Sequence, residues 1–456
     1  MHENYDIDQL LELADNKQYR QLKELLSEMN EVDIAEFMDE VKPEQLIIIF
    51  RLLPRELAAD VFTYLEDSED QEKLIEALSD QELRGILDEL YVDDTVDILE
   101  DMPANVVSRI LRNTPAATRS QINELLKFPS DSAGSIMTTE FVYLHPDATV
   151  EESFARIRKV GLDKETVYTC YVTLRRKLLG VVTVKRMLMS TYETPIRDIM
   201  ETNVLSVHTL DDKEDVAQMF SKYDLSALPV VDNDDRLVGI ITFDDAMDVI
   251  EEETTEDFEK MAAILPSDKP YLKSGVFETW RSRIPWLMML MLSATFTGII
   301  ITSFESALAA CVVLTSFIPM LSGTGGNSGS QSSVAVIRAL SLDEVEFRDI
   351  FAVVWKELRV AALCGVCLGA ANFGKMLLVD RMLMHNPEVT VAVAAVVSAT
   401  LVLTVICAKA VGCTLPMVAE KVGIDPAVMA APFITTVVDA LSLLIYFAIA
   451  TRVLGI

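Results

Sequence analysis

The stretch PAVMAAPFITTVVDALSLLIYFAIAT, from Pro426 to Thr451, contains a single charged residue, Asp439. A membrane-spanning helix needs about 20 mostly apolar residues, so this stretch is long enough to cross a bilayer. At the rise of an α-helix, Asp439 falls about 20 Å from either end, near the middle of the span. The stretch therefore predicts a membrane protein whose last helix carries a carboxyl group at mid-depth.

Four further stretches of the same half are uncharged or nearly so, and each is long enough to span a bilayer. They are Ile284–Phe304, Ser306–Ile337, Val360–Val379 and Val389–Ala408. We therefore predict five transmembrane helices, the first two forming a hairpin because the connection at Glu305 is too short for a domain.

Basic residues set the orientation of these helices, because Lys and Arg are enriched on the cytoplasmic side. Three connections on one side of the five-span arrangement carry most of them: Lys273, Arg281 and Arg283; Arg338, Arg348, Lys356 and Arg359; Lys409 and Lys421. The acidic start of the chain does not resemble a signal peptide. We expect a cytoplasmic N-terminus and an extracytoplasmic C-terminus.

Asp439 is costly inside a membrane, since a charged carboxylate at mid-depth opposes insertion by about 3 kcal/mol. No other charged residue is expected at comparable depth. Small and hydroxyl-bearing neighbours on the same helix, Thr435, Thr436 and Ala440, favour close helix packing and a wet cavity. The pattern favours a cation pathway over the alternative of a structural ion pair.

A second unusual membrane stretch is PMLSGTGGNSGSQ, Pro319–Gln331. Its glycines, Gly325 and Gly326 among them, predict a break from uniform helix. Irregular backbone at membrane depth is tolerated where it is buried or lines a cavity, and the side chains of Asn327 and Gln331 supply hard oxygen ligands. Cavity lining is favoured, and glycine packing between helices is the alternative. No Lys-Ser/Thr follows the glycines, so a phosphate-binding loop is not indicated.

The charge of the chain lies in its other half. The net charge is −32 although 50% of the 456 residues are hydrophobic. Acidic and basic residues balance from Arg281 onward, so the preceding residues carry the whole charge. This excludes an ordinary soluble enzyme, a collagen and a disordered chain. It also argues against nucleic acid as a partner, because acidic surfaces repel phosphates.

The soluble half divides by its pattern into two parts. Up to about Phe128, apolar residues follow helical spacing, and prolines at positions 43, 54, 103 and 115 separate short helices, which predicts a superhelix of repeats. Beyond Pro129, short β-rich runs alternate with helices, and Leu179–Thr183 is echoed by Val238–Thr242. These runs, with the phrase Leu228–Asp232, resemble a tandem CBS pair, a module that often senses adenosine nucleotides.

The densest acidic run follows the CBS-like repeat. From Asp244 to Glu259 it contains no Lys or Arg. On a helix, like charges four residues apart destabilise each other by about 0.2–0.5 kcal/mol per pair, and a divalent cation held by oxygen ligands would relieve this. The run leads toward the first membrane helix, so we favour a cation sensor over a solvated acidic face.

The order of these parts, with the phrases Phe317–Gln331 and Pro432–Asp439, resembles the MgtE family of magnesium channels and transporters along essentially the whole chain. The resemblance implies a multidomain α + α/β protein with a polytopic α-helical membrane domain. Its parts would be a helical superhelix (residues 1–130), two CBS domains (131–195 and 196–250), an acidic connecting helix (251–280) and a five-helix transmembrane pore domain (281–456).

The resemblance also implies roles for individual residues. Asp439 from two chains of a homodimer would bind a largely hydrated Mg²⁺, assisted by backbone oxygens near Thr435, and Glu305 would attract cations at the outer mouth. The candidate pore residues are thus Asp439, Thr435, Thr436, Ala440, Asn327, Gly325, Gly326, Gln331 and Glu305. The regulatory Mg²⁺ ligands would be Asp93, Asp97, Gly134, Asp212, Glu214, Asp224, Asp245, Asp248, Glu253, Glu256 and Asp257.

The expected function is a Mg²⁺-selective channel or transporter of the plasma (inner) membrane that maintains magnesium homeostasis and closes when cytosolic Mg²⁺ is high. No nucleophile–base set or phosphate loop indicates an enzyme. Two alternatives stay open: a divalent-cation transporter coupled to H⁺ or Na⁺, and a membrane-anchored CBS nucleotide sensor. The sequence leaves open whether Co²⁺, Ni²⁺ or Mn²⁺ also permeates and whether ATP binds the CBS pair.

Overall fold

A computed structural model describes residues 7–65, 68–100, 102–267, 271–342 and 344–455, without the side chain of Asp163. It divides into two compact units, one ending at Glu253 and one beginning at Thr254. The expected domain ranges 1–130, 251–280 and 281–456 each include a few residues outside the described ranges.

The first unit begins with ten short helices, as the proline spacing predicts. They are α1 (Ile7–Asp15), α2 (Tyr19–Leu26), α3 (Glu31–Glu40), α4 (Pro43–Phe50), α5 (Arg55–Thr63), α6 (Ser68–Ala77), α7 (Asp80–Leu87), α8 (Val92–Glu100), α9 (Ala104–Asn113) and α10 (Ala116–Leu125). Pro43 is the first residue of α4, and Pro54, Pro103 and Pro115 precede α5, α9 and α10, where a missing N–H costs nothing.

Two similar α/β halves follow. Their elements are β1 (Phe141–Leu144), α11 (Val150–Val160), β2 (Thr166–Leu174), β3 (Lys177–Thr183), α12 (Val184–Leu188), α13 (Ile196–Ile199), β4 (Val207–His208), α14 (Lys213–Tyr223), β5 (Ala227–Val231), β6 (Leu237–Thr242) and α15 (Phe243–Met261). Each half has a sheet in which the first strand pairs parallel with the second, and the second antiparallel with the third. The repeat deduced from the sequence is therefore a structural repeat.

The acidic run forms one helix, α15, of 19 residues. Only Ala246 and Val249 are buried on it, so most of its carboxylates keep contact with solvent. A hydrophobic core extends from Leu10 on α1 to Val249 and includes residues of the second sheet, such as Val230. The ten N-terminal helices and the second α/β half thus share one hydrophobic core.

The second unit contains long helices and one short one, α17: α16 (Val276–Ser303), α17 (Glu305–Ala310), α18 (Ile318–Ser341), α19 (Ile350–Lys375), α20 (Val391–Lys421) and α21 (Ala431–Leu454). Within the described ranges, four segments are long and apolar enough to cross a membrane: Val276–Ser303, Phe347–Leu383, Val391–Lys421 and Pro426–Leu454. The glycines and hydroxyl residues of α18 lower its hydropathy, so a fifth span remains a prediction although α18 has 24 residues.

Three expectations from the sequence differ from the structure. The stretch Ser306–Ile337 is not one helix, because α17 and a 3₁₀ segment (Val312–Phe317) precede α18. Lys409, Lys356 and Arg359 are not in connections, because α20 continues through Pro416 to Lys421 and α19 includes the other two residues. The glycine-rich stretch is not irregular, because α18 is continuous from Ile318 to Ser341.

Close packing explains why the glycines do not break α18. A Cβ on Gly326 would lie 2.8 Å from Thr435 Cγ2, and one on Gly329 would lie 2.7 Å from Ile434 Cγ2. A Cβ on Gly412 of α20 would lie 2.2 Å from the backbone oxygen of Gly329. Glycine packing, the alternative considered above, is thus what the structure shows, and it brings α18 against both α20 and α21.

Candidate functional site

Asp439 lies on α21 and faces α18. Its side chain is partly buried, and its carboxylate accepts a hydrogen bond from the Ser322 hydroxyl. Among the described residues, no Lys or Arg forms an ion pair with it. An intramembrane carboxylate without a basic counter-charge is suited to receive a cation.

The residues one turn before Asp439 supply oxygen atoms. The hydroxyls of Thr435 and Thr436 both donate to the backbone oxygen of Pro432, at 2.9 and 3.1 Å. Their protons are therefore directed along the helix, which leaves oxygen lone pairs to accept from the waters of a hydrated ion. Ala440, next to Asp439, is partly buried.

The other pore candidates divide between two faces of α18. Gly325 and Gly326 are buried against neighbouring helices, whereas Asn327 and Gln331 are exposed. The two amides lie four residues apart and so on one stripe of the helix. Glu305 is exposed at the first residue of α17. The structure thus places Asp439, Thr435 and the glycines together and records no contact between Glu305 and them in the described part of the chain.

A buried charged network was missed by the sequence reasoning. Lys409 is 5% exposed, and its Nζ lies 3.1 Å from Ser332 Oγ and 3.6 Å from Glu357 Oε2. The Ser332 hydroxyl also donates to Glu357 Oε2. Lys409 is the single charged residue of the long apolar stretch Val389–Ala419, a signal of the same kind as Asp439.

The first unit gathers carboxylates where α8 meets α15. Asp93 is buried and its Oδ1 has no hydrogen-bond partner among the described residues. Burial, followed by the charges of Asp94 and Asp245, raises its pKa well above the ordinary value. Burial and then the charge of Asp245 raise the pKa of Asp94 to about 6. Burial, followed by the charges of Asp245 and Asp94, raises the pKa of Asp97 to about 8.

Two further carboxyl groups lie close to Asp245 and are affected by its charge. Burial and then the charge of Asp245 raise the pKa of Asp248 to about 6 and that of Glu165, which the sequence did not single out, to about 8. Asp245 itself accepts from both the N–H and the hydroxyl of Thr242, and burial still raises its pKa. A cation would relieve this concentration of negative charge.

The remaining regulatory candidates have identifiable local roles. Asp212 caps α14 by accepting from the N–H of Glu214 at 2.9 Å, and Asp224 ends that helix in the left-handed conformation at φ 51°. Glu253 lies 3.6 Å from Lys213 Nζ, which also pairs with Glu252 at 3.3 Å. The N–H of Gly134 donates to Thr209 O at 2.9 Å.

In the second unit, Lys260 joins the end of α15 to the connection before α21. Its Nζ lies 2.7 Å from Glu256 and 2.7 Å from Asp425. Burial, and then the charge of Asp425, raises the pKa of Asp257. Across the described ranges, no three His, Cys, Asp or Glu side chains are gathered closely enough to hold a metal ion. The carboxylates have the charge and the oxygen ligands that a divalent cation binds, but the described part of the chain does not bring three of them into one ligand set.

A cavity of 710 Å³ opens in the α/β halves of the first unit. Its walls include Tyr143, His145, Arg156, Arg175 and Arg176. The Arg156 guanidinium stacks over the Tyr143 ring, 4.2 Å from the ring centre. An aromatic ring beside several guanidinium groups suits an anionic ligand with a planar group.

Comparison with known proteins covers nearly the whole chain. Residues 318–449 match the MgtE family model, described as a divalent cation transporter, and residues 29–131 match the MgtE intracellular N domain. CBS domains match residues 133–191 and 196–252. The magnesium transporter MgtE of Thermus thermophilus is 36% identical, with 95% of each chain covered. That of Bacillus subtilis is 32% identical, with 92% of this chain and 93% of the relative covered.

Two solved structures are similar to about half of the chain. One is the cytosolic domain of the Mg²⁺ channel MgtE in complex with ATP, with a TM-score of 0.51 and 34% identity over 54% of this chain and 100% of that one. The other is the soluble part of a magnesium transporter, with a TM-score of 0.50 and 31% identity over 54% and 97% of the two chains. The chain belongs to the MgtE family of magnesium transporters, which are membrane transporters and not enzymes.

Proposed function

We propose that this chain conducts Mg²⁺ along a membrane pathway in which Asp439 is the cation-binding carboxylate. One observation supports the proposal most directly: the partly buried Asp439 carboxylate of α21 forms no ion pair with a described Lys or Arg. It accepts a hydrogen bond from the Ser322 hydroxyl. A carboxylate in that position is costly unless it binds something positive.

The ligand set suits an ion that keeps its water. Mg²⁺ sheds water reluctantly and is usually held by one or two carboxylates while retaining several waters. One carboxylate from Asp439, with the Thr435 and Thr436 hydroxyls and nearby backbone oxygens, can accept hydrogen bonds from such a hydration shell. The same oxygen ligands also admit Co²⁺, Ni²⁺ or Mn²⁺, whose relative permeation has to be measured.

The pathway is proposed to lie between the two chains of a homodimer. The amides of Asn327 and Gln331 are exposed on the face of α18 that the described part of this chain leaves uncovered. Polar amides facing lipid would be unfavourable, so a second copy and a water-filled pathway are their natural surroundings. Two chains would then supply two Asp439 carboxylates.

Regulation is proposed to act through the carboxylates of the first unit and α15. Burial raises the pKa values of Asp93, Asp97 and Asp248, and the negative charge of Asp245 raises each of them further, so ionising these groups without a cation is unfavourable. Cytosolic Mg²⁺ would offset this unfavourable charge and favour a compact, closed state, whereas low Mg²⁺ would favour opening. The protein would thus maintain magnesium homeostasis from the plasma (inner) membrane, with its N-terminus in the cytosol and its C-terminus outside.

A second ligand, ATP, is proposed for the 710 Å³ cavity of the first unit. Arg156, Arg175 and Arg176 offer positive charge for phosphates, and Tyr143 offers a ring for stacking. The complex of a relative's cytosolic domain with ATP favours this assignment.

Uptake of Mg²⁺ into liposomes that contain the purified protein tests the pathway. Wild type should take up Mg²⁺ without an imposed H⁺ or Na⁺ gradient, and Asp439→Asn, which keeps the size of the side chain, should not. Uptake that requires a counter-ion gradient would replace the channel with a coupled transporter. Wild-type uptake by Asp439→Asn would place the pathway elsewhere.

A further inference from the structure

The buried network of Lys409, Glu357 and Ser332 has no role in the pathway described so far. It joins three helices, since Ser332 lies on α18, Glu357 on α19 and Lys409 on α20. The Glu357 carboxylate forms an ion pair with the Lys409 ammonium and accepts a hydrogen bond from the Ser332 hydroxyl. Intramembrane ionisable groups are costly, which makes each of them a candidate functional residue.

Without the lysine, the remaining two groups resemble a cation site. A carboxylate and a hydroxyl are hard oxygen ligands of the kind that divalent cations prefer. Lys409 Nζ lies within 3.6 Å of both Glu357 Oε2 and Ser332 Oγ, so it stands where a cation would bind. The network as a whole is neutral because one positive and one negative side chain cancel.

The network lies beside the proposed pathway. Ser332 directly follows Gln331, whose side chain belongs to the exposed polar face of α18. Ser322, the hydrogen-bond partner of Asp439, lies about 15 Å away along the same helix. Ser332 and Lys409 are buried, so water and salt screen an unpaired charge at Glu357 weakly, and that charge would act on a divalent ion in the pathway.

We propose that Lys409 is a tethered counter-ion that keeps Glu357 and Ser332 from capturing the permeating cation, and so sets how tightly the pathway holds Mg²⁺. The inference rests on the proposed pathway at Asp439. Conduction requires sites that bind an ion but release it again, and a second uncompensated carboxylate would retain it. Lys409 acts through Glu357 and is a positioning residue that does not itself bind Mg²⁺.

The experiment compares Mg²⁺ uptake into liposomes by full-length Lys409→Met, Lys409→Arg, Glu357→Gln and the double variant Lys409→Met/Glu357→Gln. In Lys409→Met, the Mg²⁺ concentration for half-maximal uptake and the maximal rate should both fall about tenfold, because the exposed carboxylate retains the ion. Lys409→Arg keeps the charge and should retain wild-type values. The double variant is neutral and should restore both quantities to within about twofold of wild type.

Two results would overturn the proposal. One is a lower maximal rate in Lys409→Met with an unchanged half-saturating concentration, which indicates lost packing only. The other is a double variant that is no closer to wild type than Lys409→Met. If Lys409→Met does not fold, Glu357→Gln decides: its unpaired lysine should raise the half-saturating concentration about tenfold, and an unchanged value contradicts the proposal.

Mn²⁺ binding separates failure of this inference from failure of the pathway. The number of bound Mn²⁺ ions can be measured by electron paramagnetic resonance on the full chain. Lys409→Met should bind one more Mn²⁺ than wild type. The extra ion should disappear in the double variant. Absence of wild-type uptake would reject the pathway at Asp439, whereas an unchanged Mn²⁺ count in Lys409→Met would reject only the role of Lys409.

Discussion

The close approach of Gly412 to the backbone of Gly329 predicts a large effect for Gly412→Ala. The new Cβ would lie 2.2 Å from the backbone oxygen of Gly329, and 3.0 and 3.1 Å from its carbonyl carbon and Cα. Ordinary contact begins at 3.4 Å, so α18 and α20 would have to separate by about 1 Å at this point. A backbone oxygen cannot rotate away as a side chain can, so the strain must be spread over both helices.

The magnitude follows from two opposing effects. Overpacking costs about 1–3 kcal/mol, and a contact with backbone belongs near the upper end. Replacing a helical glycine by alanine contributes about 1 kcal/mol of helix propensity. The net loss should be about 2 kcal/mol, which lowers the melting temperature by about 4–8 °C for a unit of this size.

The assay is thermal unfolding of the full-length protein in detergent, followed by the loss of its native elution peak. Gly298→Ala on α16 is the matched control, because nothing lies within 4 Å of the Cβ that it adds. The control should be as stable as wild type or slightly more stable. A melting temperature of Gly412→Ala equal to that of wild type would refute the close approach of α18 and α20.

Three further predictions concern ligands and pH. Asp439→Asn should lose Mg²⁺ uptake at least tenfold while keeping the wild-type melting temperature, and a parallel loss of both would indicate misfolding instead. Asp97 and Glu165 have pKa values of about 8, so the folded state keeps protons that the unfolded state releases above about pH 4. With a chelator present, the free energy of unfolding should therefore fall as the pH rises from about 4 to 8. Added Mg²⁺ should raise the melting temperature more at pH 8 than at pH 6, and equal shifts at the two pH values would contradict this. Replacing Arg156 and Arg175 by Ala should weaken ATP binding in calorimetry at least tenfold, and unchanged affinity would place ATP outside the cavity.

Local chemistry explains which parts of the fold were predictable. Pro43 and Pro54 mark helix starts because proline has no N–H to donate, and that constraint acts within a few residues. The structural repeat of the two α/β halves was expected because the sequence repeats the same apolar runs in both. Asp439 could be identified from the sequence because a single charged residue in an otherwise apolar span is a local pattern.

Contacts between distant residues explain what was missed. Intrinsic propensity predicts a break at Gly325 and Gly326, but it does not include helix neighbours that approach so closely that only glycine fits. Lys409 was assigned to a connection because its counter-charge, Glu357, lies on another helix. Glu165 escaped notice since its proximity to Asp245 is a consequence of tertiary folding.

The proposed pathway and its regulation can be tested together by recording Mg²⁺ current across a bilayer that contains the purified protein. Mg²⁺ on the cytosolic face would be stepped from micromolar to millimolar for wild type and Asp439→Ala. We expect wild-type current at low cytosolic Mg²⁺, closure at high Mg²⁺ and no current through the variant. Current through Asp439→Ala equal to that of wild type would contradict the pathway, and wild-type current that ignores cytosolic Mg²⁺ would contradict the regulation.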